Sequence, residues 1–174
     1  MSDRSLGVSD RAAEFTLPDQ DAKPVSLREF LASGCLVLYI YPKDDTPGCT
    51  EDARFFRDEP QELLDAGATV VGVSSDDVAK HRRFAEKRRL PFRLLSDHGG
   101  ELRRRFGVPK TLGLIDGRVT YLIDGRGIIR HVFNSQLRAR RHVEEALGLV
   151  RCLQGSASAS PGEASNRPGD GFRS

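Results

Sequence analysis

A chain of 174 residues with 38% hydrophobic content is long enough for one compact core, and its 27 basic and 25 acidic residues are mixed along the chain, which removes compositional support for nucleic-acid binding. No apolar run approaches the roughly 18 residues of a membrane span, and the N-terminal MSDRSLGVSDRAAEF lacks the apolar stretch of a secretory signal, so a cytoplasmic protein is expected. Three cysteines, Cys35, Cys49 and Cys152, are too few and too widely spaced for a disulfide scaffold or a zinc site. A thiol in a reducing compartment is then buried or reactive rather than paired.

In chain order, CLVLYIY (35–41) is short, apolar and rich in β-branched and aromatic residues, and follows Gly34, which predicts a buried central strand. A helix follows over 50–67, with Phe55, Phe56, Leu63 and Leu64 at helical spacing, a kink at Pro60 and a C-cap at Gly67. ATVVGVS (68–74) predicts a second buried strand. SDDVAKHRRFAEKRRL then opens on capping residues and puts Val78, Phe84, Ala85 and Leu90 near one face of a helix that ends before Pro91. Strand, helix, strand, helix is the pattern of a parallel sheet with covering helices.

A short strand at FRLL and a helix at GELRRRFG come next. RVTYLI and IIRHVF, separated by DGRG, predict a hairpin that adds antiparallel strands to the sheet. A last helix is expected from about Leu137 to Leu153, with Val143, Ala146, Leu147, Val150 and Leu153 as its apolar stripe. The Gly-, Ser-, Ala- and Pro-rich stretch over 155–174 cannot bury enough surface to offset its ordering entropy. The expected division is therefore a domain over 1–154 and a disordered tail over 155–174. The basic runs Arg103–Arg105 and Arg138–Arg141 read as solvated helix faces.

The chemistry gathers at YPKDDTPGCTED (41–52). If a strand ends near Tyr41 and a helix begins near Pro47, Cys49 lies in the first helical turn, where free backbone N–H groups and the helix dipole favour an anion. Pro47 suits that turn because no donor is lost there. An ordinary thiol, with pKa roughly 8.5, is only about 3% thiolate at neutral pH, so such a placement makes a nucleophile. Geometry alone leaves open the alternative that Cys49 is a small buried residue at a helix start.

Pro42, Thr46 and Cys49 stand in the spacing P-x-x-x-T-x-x-C, and this stretch resembles the active-site motif of the peroxiredoxins, in particular the bacterioferritin comigratory protein or peroxiredoxin Q group. The resemblance continues through EFTLPDQDAKPVSLREF, VVGVSSDDVAKHRRFAEKRRLPFRLLSD, FGVPKT and GRVTYLIDGRGIIRHVF, nearly the whole chain apart from the tail. It implies an α/β, thioredoxin-like fold with a central mixed sheet flanked by helices, and thiol-dependent reduction of hydrogen peroxide or organic hydroperoxides. Carried over by position, Cys49 corresponds to the peroxidatic cysteine, Thr46 to the hydroxyl beside it, Pro42 to the residue shielding it, and Arg118 to the arginine next to the thiolate. A guanidinium and the backbone N–H groups of Gly48 and Cys49 could stabilise charge on the departing oxygen. No metal or organic cofactor is implied.

Taken singly, Thr46 would be a capping residue, Arg118 a solvent-facing strand arginine and Cys35 a core residue. Asp52 stands where the family usually has glutamate, and there it could simply favour the helix N-terminus. The pattern also departs from the group at Arg54, where many members carry a resolving cysteine, and the helix after ATVVGVS holds none. Cys152, opposite the apolar stripe of the last helix, is the remaining candidate, though nothing in LVRCLQG resembles a resolving motif.

The expected partners are a hydroperoxide substrate and an external thiol donor, thioredoxin or glutaredoxin with glutathione, for a monomer or weak dimer that binds neither nucleic acid nor membrane. A redox sensor or holdase-like interaction protein on the same fold is the alternative. A disulfide oxidoreductase is disfavoured because TPGC stands in place of C-x-x-C.

Overall fold

The computed structural model describes residues 4–58, 65, 67–110, 117–134 and 148–150. Its centre is a five-stranded sheet of β3 (Cys35–Ile40), β4 (Ala68–Ser74), β5 (Arg93–Ser96), β6 (Val119–Ile123) and β7 (Ile129–Asn134), in the spatial order β5-β4-β3-β6-β7. β3, β4 and β5 run parallel, whereas β6 and β7 are antiparallel to their neighbours. The expected hairpin on a parallel core is therefore present.

Alternation along the strands divides the core into two layers, because successive side chains point to opposite faces. Val37, Tyr39 and Tyr41 share one face with Leu94 and Leu122, covered by α2 (Pro47–Asp58) and α3 (Val78–Arg88) through Ala53, Phe84 and Ala85. Leu36, Leu38 and Ile40 face the other way with Val71, Leu95 and Tyr121, covered by α1 (Leu27–Leu31) and α4 (Glu101–Phe106) through Phe30, Leu102 and Phe106. With helices on both faces of a mixed sheet, the architecture is the thioredoxin-like α/β fold.

A small antiparallel pair, β1 (Thr16–Pro18) and β2 (Pro24–Ser26), precedes the sheet and leads into α1. These pieces are too short for periodicity to reveal. The S-x-x-E spacing of Ser26 and Glu29 is the signal that could have announced α1: the two residues form a capping box, with Glu29 N–H donating to Ser26 Oγ and Ser26 N–H to Glu29 Oε1.

One sequence expectation changes here. Arg103, expected on a solvated face, is 6% exposed, and its Nη2 donates to the Tyr41 carbonyl at 2.7 Å while the guanidinium faces Asp97. α4 is one and a half turns long and packs flat on the sheet, so one arginine of the run turns inward where a backbone carbonyl and a carboxylate receive it; Arg104 and Arg105 remain exposed. His81 also joins the buried stripe of α3 at helical spacing with Phe84 and Ala85.

The last predicted helix is described only at 148–150, which are helical, with Val150 fully buried as its stripe requires. The kink at Pro60, Arg138–Arg141, Cys152 and the tail lie outside the described residues. Among those described, no helix is long and apolar enough to cross a membrane.

Gly34 and Gly67 meet where β3 and β4 begin. A Cβ on Gly34 would stand 2.4 Å from the Gly67 carbonyl oxygen, and Gly34 has φ of +122°. Gly34→Ala is therefore expected to lower stability by about 1–3 kcal/mol, read as a lower urea midpoint. An unchanged midpoint would show that the two strands can part there at no cost.

Candidate active site

β3 ends at Ile40, and the chain leaves the sheet through Pro42–Thr46 before α2 starts at Pro47. The Thr50 N–H donates to the Thr46 carbonyl at 2.8 Å, so Cys49 sits in the first turn of α2, as the turn chemistry of Pro47 and Gly48 predicts. Cys49 is 1% exposed and packs in the same layer as Tyr39 and Tyr41.

Arg118 reaches this cysteine by sheet register. Val119 pairs with Ile40, which places Arg118 beside the point where the chain turns out of β3. The arginine is 6% exposed, and its Nη2 lies 3.1 Å from Cys49 Sγ. Gly48 makes room for it: a Cβ there would stand 3.0 Å from Nη2 and 3.4 Å from Nη1. A cation and a helix N-terminus thus converge on one buried sulfur.

Thr46 is half-buried at the start of α2, and its hydroxyl donates to the Lys43 carbonyl at 3.3 Å. Pro42 is half-buried, and its carbonyl accepts from the Ser75 hydroxyl at 3.4 Å. Cys49, Arg118, Gly48, Thr46 and Pro42 therefore stand around the C-terminal end of β3. Cys35 does not: it lies at the other end of that strand, about 17 Å away by the strand rise. It is half-buried, and burial, then the Asp124 carboxylate, push its thiol up from the ordinary value. Arg54, at the position where a resolving cysteine would stand, is exposed.

Beneath the loop lies a buried polar network that the strand and helix patterns do not announce. Tyr41 Oη donates to Asp44 Oδ1 at 2.6 Å, and burial, then Asp44, hold the phenol well above its ordinary pKa. Asp44 Oδ2 lies 2.7 Å from His81 Nδ1, and the Asp44 N–H donates to Asp76 Oδ2 at 2.6 Å. Burial pushes the Asp76 carboxyl up, but donation from Lys80, from the Asp44 backbone and from Ser74 outweighs it and holds the group below the usual carboxylate value. Among the described residues no cluster of three or more His, Cys, Asp or Glu could hold a metal.

A thioredoxin-like sheet whose first central strand feeds a helix-start cysteine paired with a buried arginine defines a thiol site on a thioredoxin-like fold. The AhpC/TSA family model matches residues 8–132. Peroxiredoxin Q of Triticum aestivum is 47% identical over 140 residues, 80% of this chain and 64% of that one, and the Populus jackii protein is 46% identical over 80% and 65%. Among solved structures, peroxidoxin BcpB of Mycobacterium tuberculosis superposes with a TM-score of 0.80 at 38% identity, covering 85% of this chain and 98% of that one. Xylella fastidiosa PrxQ gives 0.78 at 28% identity, covering 89% and 99%. The chain belongs to the AhpC/TSA family, and within it to the peroxiredoxin Q, or bacterioferritin comigratory protein, type. It spans about two thirds of the length of the wheat and poplar relatives.

The relatives overturn the cytoplasmic expectation, since the wheat, poplar and Arabidopsis thaliana proteins are all named chloroplastic. Chloroplast transit segments are amphipathic and rich in Ser and Arg rather than apolar, so the lack of an apolar N-terminal stretch does not argue for the cytoplasm.

Proposed function

We propose that this protein is a one-cysteine thiol peroxidase that reduces hydrogen peroxide and organic hydroperoxides, with Cys49 as nucleophile. The observation that carries the reading is the 3.1 Å contact from Arg118 Nη2 to a sulfur held in the first turn of α2. The Cys49 thiolate attacks one peroxide oxygen, an S–O bond forms and the O–O bond breaks. The departing oxygen takes up a proton and leaves as water or alcohol, while Cys49 becomes a sulfenic acid.

The Arg118 guanidinium and the N–H groups of Gly48 and Cys49 oppose the charge that grows on that departing oxygen. Thr46 can accept a hydrogen bond from the peroxide while donating one, and Pro42 keeps water from the sulfur. Two equivalents of an external thiol then return the sulfenic acid to the thiol, releasing water and a disulfide. Thioredoxin or glutaredoxin with glutathione is the donor this family membership supports. Since the sulfur is 1% exposed, a protein donor reaches it only after the first turn of α2 moves outward.

Turnover with hydroperoxide and each donor in parallel tests the activity, and a donor-free experiment tests the one-cysteine assignment. After one equivalent of peroxide, Cys49 is expected to persist as a sulfenic acid that a dimedone-type reagent traps, because Arg54 stands at the resolving position and Cys35 lies a strand's length away. A Cys49–Cys152 disulfide formed quickly and in full yield on peptide mapping would instead make this a two-cysteine enzyme.

A further inference from the structure

The peroxide chemistry proposed above uses none of the buried titratable groups under the cysteine loop. His81 is fully buried on α3, and the Asp44 side chain it meets is fully buried as well. A buried charge or polar group is costly unless its partners are complete, so the protons here can be counted. His81 Nε2 lies 3.1 Å from the Leu95 carbonyl, which only accepts, so that nitrogen carries a hydrogen. Asp44 Oδ1 receives the Tyr41 hydroxyl, whose raised pKa keeps it a donor. The remaining carboxylate oxygen sits 2.7 Å from Nδ1 with one proton between them. The pair is thus fully satisfied, with a single proton in the contact that joins the imidazole to the carboxyl group.

The place of Asp44 gives this pair its consequence. It lies midway in Pro42–Thr46, the segment that carries both proposed pocket walls and leads directly to Cys49. Its backbone is tied to Asp76, two residues past the end of β4, and its side chain to α3 and Tyr41. The next residue, Asp45, has a positive φ of 60° and pairs with Lys87 Nζ at 3.1 Å, also on α3. A non-glycine residue in that conformation stores strain that surrounding contacts must hold. The contact within the loop that involves Thr46, its hydroxyl to the Lys43 carbonyl, is long and weak by comparison.

We propose that His81 is a positioning residue for peroxide reduction: through Asp44 it holds the Pro42–Thr46 loop, and with it the pocket walls, in register with Cys49. This inference rests on the peroxidase reading. His81 acts on the pocket and not on the sulfur, which keeps its own partners in Arg118 and the start of α2. Its loss therefore separates two reactions of the same thiol. Oxidation by hydrogen peroxide needs the pocket walls aligned, whereas alkylation by iodoacetamide needs the thiolate and a path to it, which a looser loop does not narrow.

The test measures both rate constants on the full chain, with folding checked by circular dichroism. In His81→Leu, oxidation of Cys49 by hydrogen peroxide is expected to fall about tenfold or more, since small displacements of reacting groups are costly, while alkylation falls by less than about threefold. His81→Asn, which returns an N–H near the Nδ1 position, should recover most of the oxidation rate. If His81→Leu does not fold, Asp44→Asn carries the test, with an expected loss of at least about threefold in oxidation and none in alkylation. Oxidation unchanged in these variants, or oxidation and alkylation falling together, overturns the positioning role. A wild-type protein whose Cys49 is not oxidised by peroxide refutes the peroxidase reading itself, whatever the variants do.

Discussion

Cys49→Ser is expected to reduce peroxide consumption to the background rate, a loss of at least about 10³-fold, with the thermal unfolding midpoint little changed. Serine keeps the size and hydrogen-bonding capacity of the residue it replaces, so Arg118 retains an acceptor and the first turn of α2 retains its packing. What disappears is the sulfur nucleophile, which attacks peroxide oxygen far more readily than a hydroxyl does. Cys35→Ser and Cys152→Ser serve as controls and should remain active. Peroxide consumption by Cys49→Ser at even a tenth of the wild-type rate would remove Cys49 from the chemistry and end the peroxidase reading.

Arg118→Ala should slow the first oxidation step by about ten- to a hundredfold, the equivalent of the roughly 1.5–3 kcal/mol of a hydrogen bond to a charged group. Unlike loss of His81, loss of Arg118 should slow alkylation of Cys49 too, because the guanidinium touches the sulfur itself. Arg118→Lys should fall between, since an ammonium supplies charge without the planar fork. Arg104→Ala is the matched control: that arginine is exposed and donates to the Gly99 carbonyl, away from the cysteine. Equal losses from the two alanine variants, measured by stopped-flow mixing with peroxide, would show that Arg118 acts through general stability rather than at the thiol.

Much of the fold was readable because its signals are local. CLVLYIY and ATVVGVS carry apolar runs that only a strand buried on both faces tolerates, and DGRG between alternating runs allows few structures besides a hairpin. The capping of α3 by Asp77, whose side chain accepts from the Lys80 N–H, lies within four residues of sequence. The start of α2 at Pro47 is of the same kind, so the placement of Cys49 in a first helical turn needed no long-range information. The resemblance of the P-x-x-x-T-x-x-C stretch then pointed to its chemistry.

Arg103, His81 and Asp44 show where local signals stop. Arginine and aspartate are exposed far more often than buried, and the local pattern does not show which distant groups would receive these three side chains. Arg103 is buried because the Tyr41 carbonyl, 62 residues earlier, waits where α4 meets the sheet. His81 and Asp44, 37 residues apart, are buried because α3 packs beside β5 with the Asp44 carboxylate, from the loop after β3, opposite the imidazole.

The sequence by itself determined the five strands of the main sheet, the helix start that holds Cys49, and through its motif the class of chemistry. Tertiary structure alone decided which distant polar groups complete one another: the β3–β6 register that brings Arg118 against the sulfur, and the helix packing that ties the cysteine loop to His81. The physical reason is range. Backbone turns, caps and alternation are set by neighbours in the chain, whereas a buried charge is tolerated only where a partner from elsewhere arrives within hydrogen-bonding distance, and that meeting exists only once the sheet and its helices are assembled.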